Sequence, residues 1–140
     1  MPDEKQMWEV LRPILSKARM DPVRVENPAL PGTPDVNYIE GWMELKHADR
    51  WPPKGGPLRL NHPPTPEQRT FLARRDHCGG RAFLCLRVGR EWLLFRGHTV
   101  AQLWSEARLE PPAEAELRAA AIAVTHKPED LIPWLRREDK

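Results

Sequence analysis

Serine is almost missing from this chain. Ser16 and Ser105 are its only two, and both sit in helical stretches without the strand-to-helix elbow of a serine hydrolase. Cysteine is equally scarce. Cys78 and Cys85, even with His77 alongside, lack the second ligand pair of a zinc finger. Both cysteines are expected to be reduced, buried, small hydrophobes of an intracellular protein, in preference to a disulfide. No GxxxxGK[ST] occurs, which excludes an ATP-driven motor. No apolar run approaches the roughly 18 residues of a membrane span, so no membrane partner is expected. The N-terminus, MPDEKQMWEV, is acidic and mixed and lacks the form of a secretory signal, which predicts a cytoplasmic location. His47, His62, His98 and His126 are scattered and read as surface or capping residues.

Proline is abundant instead. Its 16 positions in 140 residues are about twice the average share of about 5%. They cluster in connections, predicting stiff loops between short elements in a single domain, residues 1–140. The net charge of +2 hides an asymmetry: residues 45–96 hold eleven Lys/Arg against four Asp/Glu, or 11 − 4 = +7, leaving 2 − 7 = −5 elsewhere. A basic middle fits a polyanionic partner, nucleic acid first, and equally a solvated arginine-rich surface.

Met7, Trp8, Leu11, Leu15 and Ala18 form a helical stripe over residues 4–18, with Pro13 expected to kink it or shift its start. PVRVEN, DVNYI and WMELK read as strands, the last two joined by a tight turn at Glu40-Gly41. Residues 47–64 are a long, basic, Pro/Gly-rich connection, a kind of segment that is usually functional or mobile. TPEQRTFLARRDHCGG has the signals of a capped helix: Thr65 as cap, Pro66 at the first position, Gln68 completing a capping box, Gly79-Gly80 at the end. Two more strands, RAFLCLRVG and REWLLFRG, precede a short helix, TVAQLWSEA, and helices expected over 113–124 and 129–137. The order predicts an α/β (α+β) domain, a mixed sheet covered by helices, with a core of about 4–96 and a C-terminal helical extension of about 97–140.

The arrangement that carries chemistry lies in GTPDVNYIEGWMELK. With Glu40-Gly41 as the turn, Asn37 faces Glu44 and Asp35 faces Lys46. Strand alternation puts Asp35, Asn37, Glu44 and Lys46 on one face and Val36, Tyr38, Met43 and Leu45 on the other. Two carboxylates so placed are costly unless a divalent cation lies between them, and hard oxygen ligands suit Mg²⁺ or Mn²⁺. Lys46 beside that cation is placed to orient or deprotonate a water and stabilise a phosphorane-like transition state.

These residues resemble the signature of the PD-(D/E)XK nuclease superfamily. TPD supplies the first acid, Asp35, and ELK the second acid, Glu44, and the lysine, Lys46. The stretch from Glu4 to Phe95 runs in the order of that superfamily's core, and it is most similar to small VRR-NUC and Holliday-junction-resolvase-like enzymes of phages. The resemblance implies a restriction-endonuclease-like sheet and a Mg²⁺- or Mn²⁺-dependent DNA endonuclease in a bacterial or phage-infected cell. It implies Asp35, Glu44 and the Leu45 carbonyl as metal ligands, Lys46 as the residue that positions water, and a homodimer for which the apolar C-terminal helices are available. It also implies a helix acid, for which Glu4 is better phased than Glu9, the alternative being an exposed residue near a frayed terminus. Gln68 matches the polar residue these enzymes place on the next helix, and also fits a capping box alone.

Trp51, Lys54 and Arg59 in the long loop are candidates to hold DNA, Trp51 by stacking on a base or wedging a junction, with packing against the sheet as its other reading. Arg69, Arg74 and Arg75 on one helix fit phosphate contacts or a solvated face. The rival functions are an inactive DNA-binding module of the same fold and a phage structural or assembly protein with solvated hairpin polars. A metal-free acid hydrolase of sugars or nucleotides fits least well with the adjacent lysine.

Overall fold

The computed structural model describes residues 3–136. Helix α1 (Glu4–Lys17) starts where Asp3 accepts a hydrogen bond from the Gln6 amide at 2.7 Å. Its stripe of Met7, Leu11 and Leu15 is buried, and Pro13 lies inside the helix without ending it. Strands β1 (Val23–Arg24), β2 (Val36–Tyr38) and β3 (Gly41–Ala48) follow, then α2 (Pro66–His77), β4 (Arg81–Val88) and β5 (Glu91–Arg96). The chain continues through α3 (Gly97–Leu103), α4 (Glu114–Ala120), β6 (Ala123–Thr125), a 3-10 turn at Pro128–Leu131 and α5 (Ile132–Leu135).

The six strands form one mixed sheet in chain order, flanked by helices. Only β3 and β4 are parallel, and α2 makes the crossover between them. Helix α2 has the expected capping box, Thr65 and Gln68 satisfying each other's amides. It ends with the Gly79 and Gly80 amides bonded back to Asp76 and Arg75 at 3.0 and 2.8 Å. Met7, Leu11 and Leu15 cover one face of the sheet with Leu131 and Leu135, over Met43, Leu45, Phe83, Cys85 and Leu94. On the other face Leu72, Val100, Leu103 and Leu117 pack over Leu84, Leu86, Leu93 and Phe95. Burial on both sides explains why AFLCL reads as an unbroken apolar run.

Four expectations need correction. The turn of the β2–β3 hairpin is Ile39-Glu40, and the pairs are Val36↔Met43, Asn37↔Trp42 and Tyr38↔Gly41, two residues away from the expected register. Gly41 is not a turn residue: it pairs with Arg81 of β4, where a Cβ would lie 2.0 Å from the Arg81 carbonyl oxygen. A shift of two preserves which side chains share a face. The C-terminal region is not wholly helical, because residues 123–125 pair with β5 as β6. The run expected to be helical over 129–137 divides into the 3-10 turn and α5, its last residue lying outside the described residues. Cys85 is buried as expected, but Cys78, at the end of α2, is exposed.

The long connection is not structureless. Leu58 is buried in the second core, its amide donates to the Pro112 carbonyl at 2.9 Å, and Pro57 bridges Ala113. Among the described residues no helix is long and apolar enough to cross a membrane.

Candidate active site

Continuing the observed register by one residue sets Asp35 opposite Glu44, where the sequence alone placed Lys46. Asp35 is oriented by the main chain: the Leu45 amide donates to its Oδ2 at 2.9 Å, and the Val25 amide donates to its carbonyl at 2.7 Å. Gly32, with φ of 90°, brings the preceding loop against the Glu67 backbone. Three chain segments therefore meet here: the loop before β2, the middle of β3, and the first turn of α2.

Glu44 and Lys46 are 2% and 5% exposed, the two buried charged residues of the described core. They face α2, as does Trp42, whose ring meets Phe71 edge-on with centroids 5.6 Å apart. Glu44 Oε2 lies 3.4 Å from Lys46 Nζ and accepts from Gln68 Nε2 at 2.9 Å. Glu44 Oε1 is buried and has no donor. An unpartnered carboxylate oxygen in such a place is costly when charged. The Glu44 carboxyl is pushed up to about 8, by burial first and then by the charge of Asp35 and hydrogen bonding with it, with Lys46 only partly offsetting the rise. The 3.4 Å contact to Lys46 is thus an ion pair only once Glu44 has lost its proton.

Among the described residues no group of three His, Cys, Asp or Glu side chains is arranged to hold a metal. Two carboxylates nevertheless fit Mg²⁺ or Mn²⁺, because Mg²⁺ keeps several of its waters and is often held by only one or two carboxylates. The donor-free Oε1 beside Asp35 is a place where a hard cation relieves the cost of ionising both acids.

The other singled-out residues divide. Gln68 does both things considered for it, its Oε1 accepting from the Thr65 amide at 2.9 Å while its Nε2 holds Glu44. Leu45 lends its amide to Asp35, and its side chain is buried on the α1 face. Glu4 is half-buried with its carboxylate 2.9 Å from His47 Nδ1. Strand alternation puts His47 on the face opposite Lys46, so the contact shown for Glu4 is not to the Asp35–Glu44 pair. Glu9 is exposed.

Arg69 is tied to the Pro64 carbonyl at 2.8 Å and to Glu106 at 3.2 Å. Arg74 and Arg75 are exposed, with guanidinium carbons 5.8 and 4.8 Å from the centre of the Phe71 ring. Lys54 and Arg59 are exposed. Trp51 is half-buried, donating Nε1–H to Glu91 Oε1 at 2.8 Å under the Arg118 guanidinium at 5.1 Å. Arg50 and Asn61, which sequence reasoning passed over, line a cleft with Trp51 and Arg59. Their only signal was membership of the basic loop.

No protein-family model matches the chain, and no curated protein matches it in sequence. The functional reading therefore stands on the geometry of these side chains.

Proposed function

We propose that the protein is a metal-dependent nuclease of the PD-(D/E)XK type that hydrolyses DNA phosphodiester bonds. One observation carries the reading: two carboxylates, Asp35 and Glu44, lie together in a buried site with a lysine 3.4 Å from one of them, leaving a carboxylate oxygen without a donor. A structural hairpin has no use for that arrangement, since replacing Glu44 by an apolar residue would remove its burial cost.

Mg²⁺ or Mn²⁺, held by Asp35, Glu44 and in this reading the Leu45 carbonyl, supplies charge neutralisation at the phosphate and a lowered pKa for the attacking water. Gln68 holds one oxygen of the Glu44 carboxylate, Oε2, and the other is left without a donor. Lys46, at the edge of this cluster, orients the water and places positive charge where the phosphoryl oxygens gain negative charge. The exposed Lys54, Arg59, Arg74 and Arg75 supply backbone contacts, and the +7 balance of residues 45–96 supports a polyanionic substrate.

The test is cleavage of labelled duplex, single-stranded, flap and four-way-junction DNA with Mg²⁺, Mn²⁺ or EDTA, alongside Lys46→Ala and Asp35→Asn. Metal-dependent cutting lost in both variants is the expected result. DNA binding with no cutting under any condition would replace this reading with the inactive binding module.

A further inference from the structure

The loop after β3 walls a cleft of about 340 Å³, a volume in the range of small-ligand pockets. Its polar lining includes His47, Asp49, Arg50, Arg59 and Asn61, and its aromatic wall is Trp51. Three observations distinguish it from ordinary surface.

First, Trp51 is held rigidly. Its indole N–H is fixed by Glu91, which Arg118 holds in turn through bonds of 2.8 and 2.6 Å, and the same guanidinium lies over the indole ring. The half-buried indole lines the cleft. Second, Arg50 and Arg59 are exposed and, among the described residues, neither has a hydrogen-bond or ion-pair partner. Arg69, Arg96, Arg108 and Arg118, by contrast, are all engaged by carboxylates. Two unpaired guanidiniums against one carboxylate, Asp49, leave the cleft positive. Third, the cleft opens at the end of the strand that carries the acid pair. Ala48, in its lining, shares a face of β3 with Glu44 and Lys46, and His47 lines it from the other face. The four residue steps from Glu44 to Ala48 along β3 span about 13 Å, the reach of a few nucleotides.

We infer that this cleft is a subsite for one unpaired nucleotide of the substrate strand, with the base stacked on Trp51 and the flanking phosphates held by Arg50 and Arg59. The inference rests on the nuclease reading above and narrows its substrate class to DNA with a single-stranded segment beside the scissile phosphate. A base still paired in a duplex cannot present its face to a ring in the wall of a cleft. An unpaired base can, and stacking tolerates any base.

The experiment compares binding by fluorescence anisotropy in EDTA with cleavage in Mn²⁺. The DNAs are a blunt duplex, a duplex with a single-stranded overhang, and that overhang made abasic nucleotide by nucleotide. The expected result is at least about tenfold tighter binding of the overhang DNA than of the blunt duplex, lost at one abasic position and in Trp51→Leu. Trp51→Phe, which keeps a stacking face but not the bond to Glu91, should keep most of the preference. Because Trp51→Leu risks misfolding, Arg50→Ala/Arg59→Ala, on exposed positions, is the second variant and should also erase the preference. Metal-dependent cutting of all DNAs equally, indifferent to the abasic sites and to both variants, would overturn the subsite and leave the nuclease standing. Absence of metal-dependent cutting on every DNA would overturn both.

Discussion

Divalent-cation binding should depend steeply on pH, because the cation must displace a proton that the fold holds tightly. With the Glu44 carboxyl at about 8, its ionised fraction is about 1% at pH 6, about 9% at pH 7 and about 90% at pH 9. Apparent Mn²⁺ affinity should therefore rise about tenfold per pH unit below pH 7 and level off above pH 8, a total of nearly a hundredfold from pH 6 to pH 9. Isothermal titration in buffers of differing ionisation heat reads both the affinity and the release of about one proton per ion at pH 7. Stability of the metal-free protein should run the other way. An acid whose folded pKa is raised keeps its proton where the unfolded chain has lost it. Stability is then greatest below the ordinary glutamate value and falls as pH rises towards 8, by about 1.4 kcal/mol per pH unit. Urea titrations at pH 5.5 and 7.5 should differ by roughly 3 kcal/mol from this group, and Glu44→Gln should flatten the difference. Affinity unchanged between pH 6 and 9, or release of no proton, would refute the coupled acid pair.

Other outcomes follow from the same geometry. Lys46→Ala should lower kcat by about a hundredfold or more while DNA affinity changes little, and single-turnover kinetics with anisotropy separates the two effects. Gln68→Ala removes both the amide to Glu44 and half the capping box, and should cost about 1–2 kcal/mol by urea denaturation. Gln68→Glu should restore the cap but weaken Mn²⁺-free stability by placing a third carboxylate beside Glu44. Gly41→Ala, whose Cβ would meet the Arg81 carbonyl oxygen at 2.0 Å, should destabilise by about 3 kcal/mol or more, visible as a lowered midpoint in thermal unfolding.

Much of this was legible in residue order, where the determinants are local. Thr65, Pro66 and Gln68 announce the start of α2 because a helix must satisfy its first amides nearby. Alternation fixes which hairpin side chains share a face for either of the registers that differ by two residues. The register itself was hidden because Gly41 looks like a turn glycine, and only the approach of β4, forty residues later in the chain, gives it a different task. Strand β6 was hidden for a related reason: Ala123–Thr125 follows an alanine-rich helix and becomes a strand only because β5 presents an edge to pair with. Phase alone correctly set Glu4 towards the sheet but did not disclose His47 as its partner. The setting of Trp51 depends on Glu91 and Arg118, which no local pattern joins to it.

The dual role of Gln68 has a consequence for motion. Its carbonyl end closes the first turn of α2 and its amide end grips Glu44, while Gly32 seats the Asp35 loop against the same turn. Fraying of that turn and loosening of the acid pair are therefore a single opening event. Amide hydrogen exchange at Gln68 and Arg69, whose N–H groups bond to Thr65 at 3.1 and 2.9 Å, becomes a clock for the site. A cation drawing Asp35 and Glu44 together should slow that exchange, so the first turn of α2 would register its arrival.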